Sequence, residues 1–507
     1  MTSQEIKVMK YRPEIDGLRA LAIIPVIFFH AGISTFSGGY VGVDVFFVIS
    51  GYLITSILLF DIQKERFSFK SFYERRARRL LPALYLVMLV CLPFSWLMLT
   101  ATDLKSFAQS IVAVSLFSSN FLFHLQTGYF DLASELKPLL HTWSLAVEEQ
   151  FYIIFPLFLL AVRKVKGKKF LSLLILVALA SFWYSQSSVI EAPTVSFFML
   201  PSRLWELLVG SIAACLLMEE RYIRLSDLIN QILSLVGVGL IVTAVFLFDE
   251  GTLFPGGAAL IPVLGSLLVI LFATPNTLTY KILSQRLFVF IGLISYSAYL
   301  WHQPIFAFFK YQSFFNPSSL QMFGLSLSIF PISYISWKYV EEPFRCRTRL
   351  SSKMVLVLSI MFTTSFVSIG IWGHLNHGFP ERFKKPPNLT WISLGDKIEQ
   401  IGRVCSDEPN AKYPSLLTCE FGDLTSVKTI AVYGDSHADA LMYKLDEHFT
   451  KNNIKGIRVS LTKCGVIPTI QKLPVKDPVK YRKKCQDAFG DMLTYLEESS
   501  NAVILSA

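Results

Sequence analysis

The segment Tyr11–Thr55 decides the fold: it reads YRPEIDGLRALAIIPVIFFHAG, a short Gly-rich gap, and then GYVGVDVFFVISGYLIT. Each of its two apolar runs is long enough to cross a bilayer. Ionisable side chains at membrane depth cost free energy, so they are functional by default. The runs contain four such residues: Asp16, Arg19, His30 and Asp44. The segment therefore predicts a membrane helical bundle with a polar site on its first two helices.

Helical geometry places three of these side chains together. Arg19 and His30 lie three turns plus roughly 20° apart on a helix, at about 100° per residue. They therefore share one face of the first helix, about 16 Å apart along its axis, and Asp16 lies on the same side. The alternative is a set of polar residues that hold helices together, a role more usual for Ser, Thr or Asn than for Arg.

The composition is that of a polytopic membrane protein. The 507 residues are 53% hydrophobic and include 43 Phe, and the mean hydropathy is +0.49. A net charge of +10 could indicate nucleic-acid binding, but the cations lie in short loops between apolar runs and form no basic patch interleaved with aromatics. The N-terminus has no signal-peptide core, so we expect the first span to be a retained anchor.

Eleven apolar runs predict about eleven transmembrane helices, with ends good to a few residues. The runs are 14–34, 40–60, 80–99, 147–162, 170–187, 200–218, 230–248, 257–274, 287–308, 318–339 and 354–374. Nearly all cations between the apolar runs lie on one side of the membrane in this arrangement. The connecting segments on the other side contain only Lys105, Lys137 and Lys310. This asymmetry predicts a cytoplasmic N-terminus and an external position for everything after Gly373.

The polar tail has the pattern of an α/β domain. Strands are expected at 428–433, 457–461 and 502–506, with helices at 438–449 and 481–498. This is a parallel β-α-β-α-β unit, the start of a doubly wound sheet. Four of the seven cysteines lie here, and the simplest pairing is Cys405–Cys419 with Cys464–Cys485, one of three possibilities. We expect Cys91, Cys215 and Cys346, in or beside spans, to stay reduced.

Further charged clusters interrupt the later spans. Arg75, Arg76, Arg78 and Arg79 fit either positive-inside flanking or an anionic cytosolic ligand such as a nucleotide phosphate. Arg203 and Glu206, at i,i+3, are expected to pair. The remaining candidates are Glu148 and Glu149 entering the fourth span, His302 in the ninth, external His141, and Glu341 and Glu342 as ordinary helix-end charges. Such charges suit a transporter or an enzyme, but no inverted repeat supports a transporter.

Seven motifs in this order resemble the acyltransferase-3 family of membrane acyltransferases. They are RPEIDGLRALA, GVDVFFVISGYLIT, FYERRARRLLPA, HTWSLAVEEQFYIIFP, SRLWELLVG, SYSAYLWHQP and VEEPFR, and they cover about residues 10–345. The extra span and tail make the chain similar to the subfamily fused to an SGNH domain, typified by bacterial O-antigen (lipopolysaccharide) acetylases. The resemblance implies a membrane domain at 1–350, an eleventh span at 351–375 and a periplasmic SGNH-like domain at 376–507.

The resemblance also implies a reaction and its partners. An inner-membrane O-acyltransferase would move an acyl group, acetyl above all, from cytoplasmic acetyl-CoA to a hydroxyl of a surface polysaccharide. No metal and no nucleic acid would take part, and the bilayer and the glycan would be the partners. The alternatives are a transporter of an acyl donor or lipid, and a membrane-anchored periplasmic esterase.

Roles follow for single residues from the same resemblance. Arg19 and His30 match the family's Arg–x10–His pair, with His30 a general base or acyl relay and Arg19 holding the donor or balancing charge. Arg75, Arg76 and Arg79 match cytoplasmic arginines expected to contact CoA phosphates.

The tail motif AVYGDSH at 431–437 resembles the first motif of SGNH esterases. Ser436 would be the nucleophile, with Gly434 and Asp435 forming the turn and a backbone N–H contributing to an oxyanion hole. The family's Asp-x-x-His base is not found after it, and no histidine follows His448. We therefore expect half of an SGNH domain, without esterase activity through Ser436.

Overall fold

The chain divides into two compact units, Met1–Arg382 and Phe383–Ala507, in a computed structural model. The structure describes residues 11–126, 134–165, 167–218, 225–249, 251–313, 317–346, 348–382, 408–410, 412–413, 416–434, 445–461, 478–500 and 502–506. Side chains at 408–409, 434, 460–461, 478–486, 488 and 502–506 are not described.

The described part of the first unit is helical. Its α-helices are α1 Pro13–His30, α2 Gly42–Gln63, α3 Phe69–Met98, α4 Ala101–Ser115, α5 Ser119–Leu125, α6 Thr142–Ala161, α7 Lys168–Glu191, α8 Pro193–Phe198, α9 Leu200–Met218, α10 Asp227–Leu247, α11 Leu260–Phe272, α12 Leu278–Leu283, α13 Arg286–Gln312, α14 Ser319–Ser336, α15 Glu342–Arg345 and α16 Ser352–Leu375. A π-helix, Trp337–Glu341, joins α14 to α15. Short 3₁₀ turns are Ser34–Phe36, Gly39–Val41, Ser134–Leu136, Gly257–Ala259 and Pro380–Arg382.

Eight of the described helical stretches are long and apolar enough to cross a membrane. They are Gly39–Gln63, Phe69–Met98, Thr142–Ala161, Lys168–Glu191, Pro193–Met218, Asp227–Leu247, Ser319–Arg345 and Ser352–Leu375. The other three predicted spans coincide with α1, α11 and α13. The chain is therefore a multi-pass membrane protein, whereas the number eleven stays a prediction.

Glycines let the central helices approach closely. A Cβ added at Gly292 of α13 would lie 1.9 Å from the backbone oxygen of Asp16 on α1. A Cβ at Gly51 of α2 would lie 1.8 Å from the backbone oxygen of Leu207 on α9. The first contact brings α1 and α13 together and the second brings α2 and α9 together. A larger side chain at either glycine would force its pair of helices apart.

The predicted external gap 100–146 contains two helices that the sequence analysis did not predict. Helix α4 packs along α16, where Phe107, Ile111 and Val114 join a core that includes Phe366. Thr100 caps α4 by accepting a hydrogen bond from the Asp103 backbone N–H. Counting Lys and Arg residues in the loops shows only where cations are rare. It cannot show that a loop contains packed helices.

The second unit contains a five-stranded mixed sheet. Its strands are β1 Glu408–Pro409, β2 Leu416–Gly422, β3 Thr429–Gly434, β4 Lys455–Leu461 and β5 Ala502–Ser506, in the order β1-β2-β4-β3-β5. The three expected strands are present and parallel. The prediction of a purely parallel sheet is wrong, however, because β1 pairs antiparallel with β2 and β2 pairs antiparallel with β4.

Helical segments of the second unit are residues 445–451 and α17, Pro478–Ser499. Met492 and Leu496 of α17 pack on Ala431, Tyr433 and Val459 of the sheet. Cys419 on β2 is disulfide-bonded. Cys405, Cys464 and the Cys485 side chain lie outside the described residues, so the two proposed pairings stay predictions. Cys91, Cys215 and Cys346 are not in disulfide bonds, as expected.

Candidate functional site

A cavity of about 90 Å³ opens between α1, α2, α3, α6 and α13. Its polar lining comprises Arg19, Ser50, Arg76, Arg79, Ser144, Glu148, Tyr152, Ser295, Tyr296 and Tyr299. Its apolar lining comprises Val43, Phe46, Ile49, Leu53, Ile54, Ile57, Leu80 and Leu145. Charged groups thus face an otherwise apolar chamber within the bundle.

The cavity runs between two levels of the bundle. Helices α1 and α13 lie side by side in the same direction, because Gly292 packs on Asp16 and Lys310 donates to the backbone oxygen of His30 at 3.2 Å. Arg19 marks one end of the cavity. Tyr299 marks the other, because its ring lies 5.3 Å from the ring of His302, which lies 5.0 Å from the ring of His30. We call these the arginine end and the histidine end.

At the arginine end, Arg76 is held by two groups on α6. Its guanidinium donates to Glu149 at 3.3 Å and lies 4.1 Å from the centre of the Tyr152 ring. The Tyr152 hydroxyl donates to Glu148 at 2.8 Å, and so does Ser50 at 3.0 Å. The motif containing both glutamates therefore positions Arg76, while Glu148 itself faces the cavity.

Arg79 differs from its neighbours because none of the residues that the structure describes forms an ion pair with it. It lies near other cations, and it interacts electrostatically with Arg19, Arg76 and Arg345. Arg19 is positioned by Asp16 at 3.3 Å, and Asp16 also accepts from Tyr11 at 2.7 Å. Clustered guanidinium groups facing a cavity repel one another unless an anion binds there.

The other two arginines of the predicted cation patch point elsewhere. Arg75 is half-exposed and pairs with Asp61 at 2.7 Å. Arg78 is buried, pairs with Glu74 at 2.9 Å, and donates to the backbone oxygens of Phe344 and Leu350. The structure thus brings Arg76 and Arg79 to the cavity and places Arg75 outside it.

At the histidine end, three imidazoles lie in sequence. The ring of His30 is 5.0 Å from that of His302, which is 5.3 Å from that of His141. The His141 ring is 5.4 Å from the ring of Tyr299. The Tyr299 hydroxyl donates to the His141 backbone oxygen at 3.0 Å and lies 2.6 Å from the Ser144 hydroxyl. Tyr299 and Ser144 therefore connect the cavity to the histidines.

Several ring nitrogens of this cluster have no hydrogen-bond partner among the described residues. They are Nε2 of His302 and both nitrogens of His141, and both side chains are buried. His30 is half-buried, and its Nδ1 lies 2.9 Å from the Val26 backbone oxygen, which leaves Nε2 for other chemistry. No group of described His, Cys, Asp or Glu side chains has the geometry to hold a metal ion.

A second buried charge cluster lies away from the cavity, between α2 and α9. Arg203 pairs with Asp44 and with Glu206, each at 2.8 Å, so the predicted Arg203–Glu206 pair is present. The guanidinium also donates to the Phe197 backbone oxygen at 3.1 Å. It is surrounded by the rings of Phe47, Trp143, Phe197 and Phe254. One oxygen of Asp44 and one of Glu206 have no hydrogen-bond partner among the described residues. None of the three charged residues lines the cavity, which favours a structural role for Asp44.

One expectation for the helix ends is wrong. Glu341 is fully buried and is not an ordinary surface charge. It accepts hydrogen bonds from Ser297 and from Arg345. The π-helix turns its side chain inward, a local geometry that hydropathy does not reveal.

Uncharged residues of the site were missed from sequence. Ser50, Ser144, Tyr152 and Tyr299 line the cavity, but single hydroxyls in apolar helices give no charge signal. All four fall inside the motifs quoted above, which was the available clue. Gly434 ends β3, while Asp435 and Ser436 lie outside the described residues.

The family described as "Acyltransferase domain" matches residues 12–338. The chain belongs to this acyltransferase family. The domain described as "SGNH domain (fused to AT3 domains)" matches residues 404–507, so the membrane domain is fused to an SGNH domain.

Curated relatives are similar over about two thirds of the chain. The peptidoglycan O-acetyltransferase OatA of Listeria monocytogenes is 34% identical over 353 residues, covering 66% of this chain and 56% of that protein. The O-acetyltransferase OatA of Staphylococcus aureus is 30% identical over 351 residues, covering 66% and 57%. The chain thus spans little more than half the length of these relatives. No solved structure matches it.

Proposed function

We propose that this protein is a membrane O-acetyltransferase that moves an acetyl group from acetyl-CoA to a hydroxyl of a cell-surface glycan. The observation that carries the proposal is one cavity lined by Arg19, Arg76 and Arg79 and also by Tyr299, whose hydroxyl and ring contact His141 of the histidine cluster. Family membership and the relatives named O-acetyltransferases support it.

The arginine end suits the donor. Guanidinium groups bind phosphates through charge-assisted hydrogen bonds, and Arg79 is available for an anion. The apolar wall beyond it, formed by residues such as Phe46 and Leu53, suits the thin pantetheine arm of CoA. The thioester would then point towards Tyr299 and Ser144.

The histidine end suits the transfer. As a general base, His30 takes the proton of the acceptor hydroxyl while its oxygen attacks the acetyl carbonyl. The carbon–sulfur bond breaks, and the CoA thiolate leaves and takes up a proton. In the alternative, His30 carries the acetyl group before the hydroxyl does. Either role needs a half-buried imidazole with one nitrogen available. His30 is half-buried, and its hydrogen bond with Val26 engages only Nδ1 among the contacts of the described residues.

The proposed membrane orientation of the protein follows from the distribution of Lys and Arg among its loops. The N-terminus and the arginine end face the cytoplasm of a bacterial inner membrane, where acetyl-CoA is made. The second unit lies outside, in an oxidising compartment, and the disulfide at Cys419 supports this side.

The acceptor has two candidates. The Listeria relative is named for peptidoglycan, and the resemblance to O-antigen acetylases favours lipopolysaccharide. Both present sugar hydroxyls outside the membrane, and the described residues do not distinguish them.

The test is acetyl-CoA-dependent labelling of glycans in membranes from a deletion strain with and without the full chain. With radiolabelled acetyl-CoA, the label should appear in peptidoglycan or in O-antigen only when the protein is present. Mild base should release this label as acetate. A transporter or an esterase would leave both glycans unlabelled, and that result would overturn the proposal. Mass spectrometry of the two glycans identifies the acceptor.

A further inference from the structure

Helix α16 is closely packed along only part of its length. Near its C-terminal end, a Cβ at Gly370 would lie 2.6 Å from the Ala108 backbone oxygen, and one at Gly373 would lie 2.8 Å from the Ala108 side chain. Helix α4 therefore touches this half of α16 almost backbone to backbone. Of the eight candidate spans, α16 is nevertheless the least buried, at 17% of its window.

The N-terminal half of α16 is separated from α3 by an apolar cleft of about 200 Å³. The cleft is lined by Ala77, Leu81, Pro82, Tyr85, Leu86, Leu89, Val340, Phe344, Val355, Leu358, Ser359 and Phe362. The Tyr85 hydroxyl is already satisfied by Thr363 at 2.5 Å. The cleft therefore offers contact surface for an apolar group and little else.

The size and length of the cleft fit a lipid chain. Protein interiors contain few voids larger than a water molecule, so a space of this size in a bilayer is filled by its surroundings. From Ala77 to Leu89 the helix rises about 18 Å, slightly more than the ~15 Å half-thickness of a hydrocarbon core. One acyl chain of a single leaflet would span it.

One end of the cleft is cationic. Arg78 donates to the backbone oxygens of Phe344 and Leu350, which ties the segment 345–353, RCRTRLSSK, to the Ala77 end. Arg349 and Lys353 are exposed, and neither forms an ion pair with any described residue.

The acidic groups at this end are mostly engaged already. Glu74 accepts from Arg78 and from Ser352, each at 2.9 Å, and Glu341 pairs with Arg345 at 2.8 Å. Glu342 is exposed on the same segment. The net charge at this end of the cleft is therefore positive, which favours the binding of an anionic group there.

We propose that the cleft between α3, α15 and α16 binds one acyl chain of an anionic phospholipid whose head group contacts Arg349 and Lys353. The lipid completes the packing of the helix that follows the acyltransferase domain. This inference rests on the cleft and its charges and is independent of the proposed reaction.

Native mass spectrometry of the full chain in detergent tests the proposal. Phosphatidylglycerol and phosphatidylcholine with identical chains are added in turn. We expect one phosphatidylglycerol to be retained at a collision energy that removes phosphatidylcholine. Leu358→Trp fills the cleft and should abolish retention. Leu356→Trp, on the same helix but outside the lining and 59% exposed, should retain the lipid.

A second variant keeps the test independent of any folding defect in Leu358→Trp. Arg349→Gln/Lys353→Gln leaves the apolar lining intact and should reduce the preference for phosphatidylglycerol about tenfold. Equal retention of both lipids by the unaltered protein would overturn the proposal. So would equal retention by the two tryptophan variants, or an unchanged preference in the double variant.

Discussion

Two charge clusters lie within the membrane unit, and they differ in what surrounds them. Around Arg203, two carboxylates and four aromatic rings close on one guanidinium, and this cluster borders no part of the cavity. At the arginine end, Arg76 has one carboxylate partner, Arg79 has none among the described residues, and a cavity opens beside them. Burial of charge alone therefore does not identify a functional site. Unmatched charge that borders a cavity does.

The largest expected effect separates catalysis from packing at the histidine end. His30→Ala should lower acetyl transfer by about 10²–10⁴-fold, because general acid–base groups contribute that much. The amount of folded protein should stay unchanged, since the side chain is only half-buried. Glycan acetylation per purified protein is the measurement. The control is His377→Ala, which changes an exposed histidine after α16. Wild-type activity in His30→Ala would show that the histidine end takes no part in acetyl transfer.

The Arg203 cluster should respond in the opposite way. Arg203→Ala leaves Asp44 and Glu206 buried without their cation and should destabilise the protein by about 3–5 kcal/mol. Thermal unfolding in detergent and the yield of monodisperse protein measure this. Arg79→Gln, which takes no ion-pair partner away from any described carboxylate, should keep the unfolding temperature and lose activity at low acetyl-CoA instead. If Arg203→Ala were stable but inactive, the Arg203 cluster would serve function and not stability, and the contrast between the two clusters would be wrong.

Much of the fold was predictable from apolar runs, and the reasons for the rest are physical. Runs of hydropathy located α2, α3, α6 and most later spans, and alternation in the tail located β3, β4 and β5. Helices α4 and α5 escaped because they carry fewer apolar residues than a full span. Strand β2 escaped because its antiparallel pairing with β4 depends on partners distant in sequence.

The site was predictable where charge marks it. Arg19, Arg76 and Arg79 were identified and do line one cavity. The sequence could not separate Arg75 from them, because α3 turns neighbouring positions to different faces, and only packing decides which face meets the cavity. Tyr299 and Ser144 needed the structure, since their importance comes from bridging the cavity to His141.

A smaller effect tests on which side of the membrane the arginine end lies. Cys346 is free, exposed and adjacent to Arg345, and a hydrogen bond with Thr348 lowers the pKa of its thiol. More thiolate at neutral pH and an exposed side chain make it react faster with a maleimide than Cys91 and Cys215, which are buried. An impermeant maleimide should label it in inside-out vesicles and leave it unlabelled in intact spheroplasts. The reverse pattern would contradict a cytoplasmic donor site.

The central claim is that Arg79, the cavity arginine without an ion pair among the described residues, binds the donor. Initial rates against acetyl-CoA in inside-out vesicles, for Arg79→Gln and its matched control Arg75→Gln, test it most directly. Loss of a charge-assisted hydrogen bond to phosphate should raise the half-saturating acetyl-CoA concentration about ten- to hundredfold in Arg79→Gln. Arg75→Gln should match the unaltered protein. Equal half-saturation in the two variants would contradict the account.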